Sequence, residues 1–260
     1  MKLRNVLVVH KMGYDAIEKQ TVDAVMELLR KKKILHRSIS RLEVNHEIVK
    51  GRDLIIIVGG DGTFLKTAQY TSDDIPFLCI NADPRNTEGF FSGATKKTCA
   101  AKLESMLKGK IKPKKFCRLV AKLNGKEIEP CLNEYYVGQQ KPYDVSRYII
   151  QAGKKSEEQK SSGVLVCTAA GSTAWCRGAG GKVLNPEKKI FQFVVREPYV
   201  GTLLKTKITK GILKEKEMIK ITAKTDGMII VPDAVGKEHP FQRNAVVEIS
   251  IAKNPICLFK

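Results

Sequence analysis

Leu54-Ile55-Ile56-Ile57-Val58-Gly59-Gly60-Asp61-Gly62-Thr63 is the stretch that decides the fold. Five consecutive aliphatic residues have the composition of a strand buried on both faces of a parallel sheet. The glycines after them let the chain turn sharply and let a ligand approach the amides without Cβ interference. Phe64-Leu65-Lys66-Thr67-Ala68 then reads as the start of a helix, whose free N–H groups face any bound phosphate. Gly59, Gly60, Gly62 and Thr63 form the candidate phosphate cradle. Asp61 is the odd member, because a carboxylate repels phosphate unless it has chemical work to do. It can take a proton from an attacking hydroxyl or help hold a metal ion. The alternative is that Asp61 only caps the helix.

Outward from this stretch, strand and helix alternate. Strands are predicted at 6–9, 34–40 and 76–80, and helices at 16–30 and 98–107. Such alternation implies a parallel sheet with helices on both faces and ligands at the carboxyl ends of the strands. A basic, Pro-containing linker at 110–115 ends the pattern. Beyond it, 116–123 and the Asn124-Gly125 turn signal a hairpin. Further strands are predicted at 145–152, 164–168, 190–195, 217–223 and 228–231, with one helix near 174–180. The polar segment 153–163 reads as a mobile loop. The expected fold is an α/β N-terminal Rossmann-like domain with a parallel sheet, followed by an all-β C-terminal domain of layered sheets. The divisions are 1–110 and 111–245, with 246–260 packing back on the first domain.

The chain has 260 residues, of which 43% are hydrophobic and 28% charged, ordinary values for a soluble globular protein. No apolar run approaches the about eighteen residues needed to span a bilayer. Residues 1–10 are a short basic lead into a strand, without a signal-peptide core. A soluble, cytoplasmic protein is expected. The seven cysteines stand singly and the four histidines are scattered. That spacing supports neither a zinc knuckle nor a redox dithiol, and no His or Cys metal cluster is visible. The formal charge of +19 implies attraction to polyanions. Its lysines fall in short clusters (31–33, 96–97, 112–115, 205–216) without an RNA-binding aromatic motif, so a solvated surface that focuses anionic substrates is preferred to nucleic-acid binding.

Three further segments carry chemistry. Asn81 closes a strand and opens Asn81-Ala82-Asp83-Pro84-Arg85-Asn86-Thr87-Glu88-Gly89-Phe90-Phe91. Asn133-Glu134 follows an apolar pair, and an adjacent amide and carboxylate suit base edges and ribose hydroxyls. Thr168-Ala169-Ala170-Gly171-Ser172-Thr173-Ala174-Trp175 runs into Gly178, with small residues that leave room for a flat ligand. Trp175, the single tryptophan, is expected to contact that ligand; the alternative is a core position.

In this order and spacing the motifs resemble the NAD kinase family, across nearly the whole chain. The resemblance implies that Asp61 is the catalytic residue, with Gly62 beside the dinucleotide. It implies that Asn133 and Glu134 bind the adenosine or ribose portion. Thr173, Ala174 and Trp175 would line the dinucleotide site, with Lys160 and Gly178 at positions where the family often has other ligand-contacting residues. Asn81 would join the donor-binding set. Asp-Pro-Arg after Asn81 and Trp at 175 resemble the branch that includes the mitochondrial NAD kinases of animals. Ser162, Ala170 and Gly178 depart from the usual pattern by losing a carboxylate and two hydroxyls. Asp233-Ala234 stands where a late Asp-Gly is usual.

The implied reaction moves the γ-phosphoryl of ATP, or of another donor, to the 2′-hydroxyl of the adenosine ribose of NAD. Magnesium or another divalent cation would assist, and a homodimer or homotetramer is implied. A lipid kinase of the diacylglycerol or sphingosine type also carries GGDGT, but there an Asn-Glu pair follows it almost at once, whereas here Phe64-Leu65-Lys66 follows. A non-catalytic nucleotide- or nucleic-acid-binding protein is the alternative from another class; such a binder gains nothing from a carboxylate beside phosphates.

Overall fold

The computed structural model describes every residue except Met1, Lys2, Met12, Tyr14, Asp15, Ser72, Asp73 and 202–205. The first two residues of the basic lead and Lys205 of the lysine cluster thus lie outside the described residues. Two units emerge, Met1–Lys115 with Asn254–Lys260, and Phe116–Lys253.

The first unit is built from β1 (Asn5–His10), α1 (Ala16–Lys31), β2 (Leu35–Ser40), α2 (His46–Val49), β3 (Leu54–Val58), α3 (Asp61–Ala68), β4 (Pro76–Asn81), β5 (Ala94–Thr95), α4 (Cys99–Leu107) and β6 (Lys114–Phe116). The sheet runs β2-β1-β3-β4, continues through a last strand, Ile256–Leu258, to β6, and carries β5 beside β4. Pairing among β1 to β5 is parallel, as is that of the last strand with β4. The aliphatic run is β3, central between β1 and β4, with every residue buried. Each such side chain contributes about 1.5–3 kcal/mol of hydrophobic stabilisation, an upper bound because the unfolded chain already hides some surface. α1 buries Thr21, Val22, Val25 and Leu29, one stripe at helical spacing. The strand order reverses between β1 and β3, and the glycine turn leaves the carboxyl end of β3 at that point.

The second unit holds β7 (Leu119–Leu123), β8 (Lys126–Glu127), β9 (Glu134–Gln139), β10 (Ser146–Ala152), β11 (Lys155–Ser161), β12 (Val164–Thr168), a 3-10 turn (Ala170–Thr173), α5 (Trp175–Gly178), β13 (Ile190–Val195), β14 (Lys210–Lys214), β15 (Met218–Ala223), β16 (Met228–Pro232), β17 (His239–Phe241) and β18 (Val246–Ile251). Two antiparallel sheets, β11-β10-β15-β18-β7-β8 and β14-β13-β12-β9-β16-β17, face each other. Tyr148, Ile150, Ile219, Ile221, Val247 and Ile249 of one sheet share a core with Tyr135, Val137, Val166, Phe191, Phe193 and Ile230 of the other. The spacing of two along each strand is what places these side chains on one face.

Three details differ from expectation. Residues 153–163 are not a loop: β11 pairs with β10 along its whole length, from Ser146↔Ser161 to Ala152↔Lys155. Its inward polar side chains are satisfied there. Glu157 accepts from the Lys207 and Ile208 amides, Gln159 donates to the Ile208 carbonyl, and Ser161 meets the Tyr148 hydroxyl at 2.7 Å. Charged outward residues suit an edge strand, where they deter pairing with other chains. The expected helix near 174–180 is the short α5 after a 3-10 turn. Val246–Ile251, assigned from sequence to the returning tail, is a strand paired with β7 and β15, and the return to the first unit begins at Asn254. All seven cysteines are buried and free. No helix among the described residues is long and apolar enough to cross a membrane.

Candidate active site

In the first unit the site forms at the end of β3. Gly59 has φ +144°, a conformation that L side chains rarely adopt, and its N–H donates to the Ile80 carbonyl of β4 at 3.1 Å. Gly60 is the N-cap of α3, and no side chain caps that helix. Asp61 therefore does not do the capping job. Its carboxylate instead accepts two backbone N–H groups, Phe90 at 2.9 Å and Phe91 at 3.0 Å. Those bonds orient the carboxylate and leave each oxygen a further lone pair. A Cβ on Gly60 would meet nothing within 4 Å, and one on Gly62 would meet only the Arg41 guanidinium, with Nη1 at 4.0 Å, among the described residues.

Asn81 is brought to the same place, but its amide is spent locally. Its Oδ1 accepts from the Asp83 N–H and the Thr87 hydroxyl, and its Nδ2 donates to the Thr87 carbonyl. Gly89, at φ +59°, lies so close that an added Cβ would sit 2.6 Å from Asn81 Nδ2. Asn81 thus shapes the loop that delivers the Phe90 and Phe91 amides to Asp61.

In the second unit Asn133 and Glu134 meet the 168–175 turn. The Thr168 N–H donates to the Asn133 carbonyl at 2.8 Å and the Thr168 hydroxyl to the Leu132 carbonyl at 2.5 Å. Asp233 holds the same turn from the far side. Its carboxylate accepts the Leu132 N–H at 3.0 Å and the Asn133 N–H at 2.6 Å. Asp233 and Ala234 both have positive φ, 56° and 51°, a strained pair of non-glycine residues. Asn133 is half-buried, and its side-chain amide has no partner among the described residues.

Glu134 is buried, and its Oε2 has no hydrogen-bond partner among the described residues. Burial, then the neighbouring Asp233 carboxylate and Cys176 thiol, push its carboxyl up to about 8. An orphaned buried acid is costly unless a ligand completes it.

The turn that follows presents its small residues outward. Thr173, Ala174 and Gly178 are exposed, and Gly171 packs so tightly on Asn133 that a Cβ there would run into its backbone. Trp175 is outside the core, 40% exposed, and stacks on Tyr136 with ring centroids 5.6 Å apart. Lys160, on β11, lies with its Nζ 5.8 Å from the Tyr199 ring centre. A separate cavity of about 680 Å³, lined by Lys154, Lys155, Lys207 and Lys210 among others, contains none of the sequence-derived site residues.

Sequence reading missed Arg41, Asp233, Tyr136 and Arg196 as parts of these surroundings. Only Asp233 carried a signal, through its place in a late Asp-Ala pair.

Comparison with known proteins bears on both units. The ATP-NAD kinase N-terminal domain profile matches residues 5–111, and the ATP-NAD kinase C-terminal domain profile matches residues 132–260. A probable NADH kinase of Oryza sativa is 28% identical over 256 residues, covering 90% of this chain and 78% of the relative. An NAD kinase of Thermoplasma acidophilum is 28% identical over 203 residues, covering 78% and 71%. The crystal structure of an NAD kinase from Archaeoglobus fulgidus in complex with ATP superposes with a TM-score of 0.81 at 22% identity, covering 98% of this chain and 93% of that one.

Proposed function

The chain belongs to the ATP-NAD kinase family, and from that premise we propose that it transfers the γ-phosphoryl of ATP to the 2′-hydroxyl of the adenosine ribose of NAD. The observation that carries this reading is the Asp61 carboxylate, unused by its own helix and oriented by the Phe90 and Phe91 amides beside the glycine turn. A ribose hydroxyl is a poor nucleophile until its proton is accepted, and Asp61 is the group assigned to accept it. The amides at Gly60 and Gly62 cradle donor phosphates, Thr63, whose N–H donates to the Gly60 carbonyl at 3.1 Å, closes the first turn beside them, Gly59 makes the turn, and Arg41 adds a cation beside Gly62. Asn81 acts indirectly, as the organiser of the loop that aims Asp61.

Asn133 and Glu134 are assigned to the nucleoside, where the orphaned Glu134 Oε2 gains a ribose or base partner. Thr173, Ala174, Trp175, Gly178 and Lys160 are assigned to the rest of the dinucleotide. The described residues hold no group of three or more His, Cys, Asp or Glu suited to a metal. A magnesium ion fits this donor set only as a companion of the donor phosphates, with Asp61 as its protein ligand, because magnesium is commonly held by one or two carboxylates plus phosphates and water. Bound there, it would neutralise charge on the transferring phosphoryl group. A cytoplasmic homodimer or homotetramer is part of the same proposal and is open to light scattering and localisation.

The test is to incubate purified protein with magnesium and ATP or polyphosphate, offering NAD and NADH in parallel, and to measure NADP and NADPH. NADP formed from NAD and ATP supports the reading; a preference for NADH would change the acceptor only. No phosphorylated dinucleotide under any pairing would overturn it.

A further inference from the structure

We propose that Arg196 binds a phosphate group of the dinucleotide, either the pyrophosphate or the 2′-phosphate of the product, and that Trp175 and Tyr136 hold its guanidinium ready. This rests on the reading of the 168–178 turn as the dinucleotide site.

The guanidinium carbon lies 4.9 Å from the Trp175 ring centre and 5.9 Å from that of Tyr136, and the two rings are 5.6 Å apart. These distances close a nearly equilateral triangle, so the cation touches both rings rather than lying beyond one of them. The support beneath it is rigid. The Tyr136 hydroxyl donates to the Gln139 and Ser162 carbonyls, at 2.8 and 3.2 Å. A Cβ on Gly163 would come within 2.9 Å of the Tyr136 ring, so ring and backbone are already in contact. The backbone of Arg196 is paired on both sides, its N–H donating to the Gly163 carbonyl and its carbonyl accepting the Ser162 N–H.

A guanidinium lying on aromatic rings spends its face and keeps its in-plane N–H groups for hydrogen bonds. Arg196 has no strong partner for them. Among the described residues its acidic partner is Glu197 at 3.5 Å, 65% exposed, and such surface pairs contribute little. The neighbouring position 162 carries serine and so no charge. The chain turns away at Glu197 with φ +38°, the left-handed region, so the backbone bears strain immediately after Arg196. A second cation, Lys160, belongs to the same surface, because its carbonyl accepts the Tyr199 N–H of the turn after Arg196. A half-buried, oriented, under-neutralised guanidinium beside an exposed indole fits a ligand that is planar at one end and anionic next to it. Phosphate is the anion that a dinucleotide supplies, and Arg forks match its geometry.

The experiment uses the emission of Trp175, the only tryptophan, to titrate the full chain with adenosine, 5′-AMP, 2′-AMP and NAD. Variants are R196Q and R196K, each checked for an unchanged melting temperature. R196Q is expected to weaken binding of NAD, or of 2′-AMP where the contact is the product phosphate, by roughly 10- to 50-fold while adenosine changes less than about twofold. R196K should recover part of the loss, because Lys keeps the charge but not the planar fork. Loss shared by 5′-AMP places the contact on the pyrophosphate side; loss confined to 2′-AMP places it on the product phosphate. Wild-type affinity of R196Q for NAD, 5′-AMP and 2′-AMP alike, or an equal loss of adenosine, would overturn the assignment to phosphate. A wild-type protein whose Trp175 ignores every one of these ligands would instead sink the dinucleotide-site reading, and the proposal with it.

Discussion

At the residue scale, Asp61 and Glu134 are carboxyl groups with opposite environments. Asp61 is hydrogen-bonded by two amides and keeps lone pairs to spare for a substrate hydroxyl. Asp61→Asn is expected to cut turnover by at least about a hundredfold, the size of a lost general base, with NAD affinity nearly intact. Asn offers one acceptor oxygen instead of two, so a stability loss of about 1 kcal/mol should accompany it. Turnover close to wild type would remove Asp61 from the chemistry. Glu134 is buried, its Oε2 is without a hydrogen-bond partner among the described residues, and its carboxyl is pushed up to about 8. The folded protein therefore holds a proton that the unfolded chain releases in the ordinary carboxyl range. Stability should fall as pH rises between that range and about 8, by up to about 1.4 kcal/mol per pH unit from this group. In Glu134→Gln that component should vanish, which denaturant melts at several pH values would reveal. Identical pH profiles would show that Glu134 titrates normally.

At the scale of elements, the turn after β12 works by close approach. Gly171 lies against the backbone of Asn133, whose C and Cα would stand 2.5 Å from an added Cβ. Gly171→Ala must push the Asn133-Glu134 turn away from the 3-10 turn. Overpacking of this kind costs about 1–3 kcal/mol of stability, and NAD affinity should drop more than tenfold because both nucleoside groups move. Melting together with NAD titration checks both. Unchanged NAD affinity would detach the two turns from a common site. The loop from Asn81 to Phe91 follows the same logic, with Gly89 admitting the Asn81 amide that a larger residue would exclude.

At the scale of the whole molecule, the formal charge of +19 would act on the proposed substrates, ATP and NAD, both of which are anionic. Attraction over such a surface raises encounter rates and is screened by salt. The value of kcat/KM should fall roughly fivefold between about 0.05 and 0.5 M KCl, with kcat little changed. Steady-state kinetics across that series would decide it. A flat response in kcat/KM would mean that the charge is only a solvated coat.

Much of the fold was legible in the chain because it rests on neighbours in sequence. Five adjacent aliphatics fill β3 wherever it lies, glycines permit the turn after it, and alternating helix and strand spacing imposes a parallel sheet. The Asn124-Gly125 turn and the strand pattern of the second unit were readable for the same reason. What the chain hid depends on partners far away along it. β11 looks like a polar loop until Glu157, Gln159 and Ser161 find acceptors and donors on other segments. Asp61 reads from sequence as a chemical group, but its orientation is set only when the loop from Asn81 brings two amides to it. Asp233 clasps the Asn133 turn, and Arg196 reaches Trp175 and Tyr136, only because β16 and β12 flank β9 and β13 pairs with β12. Local periodicity and glycine chemistry are written in adjacent residues, whereas hydrogen-bond partners and stacked charges come into being only when the sheets place distant residues side by side.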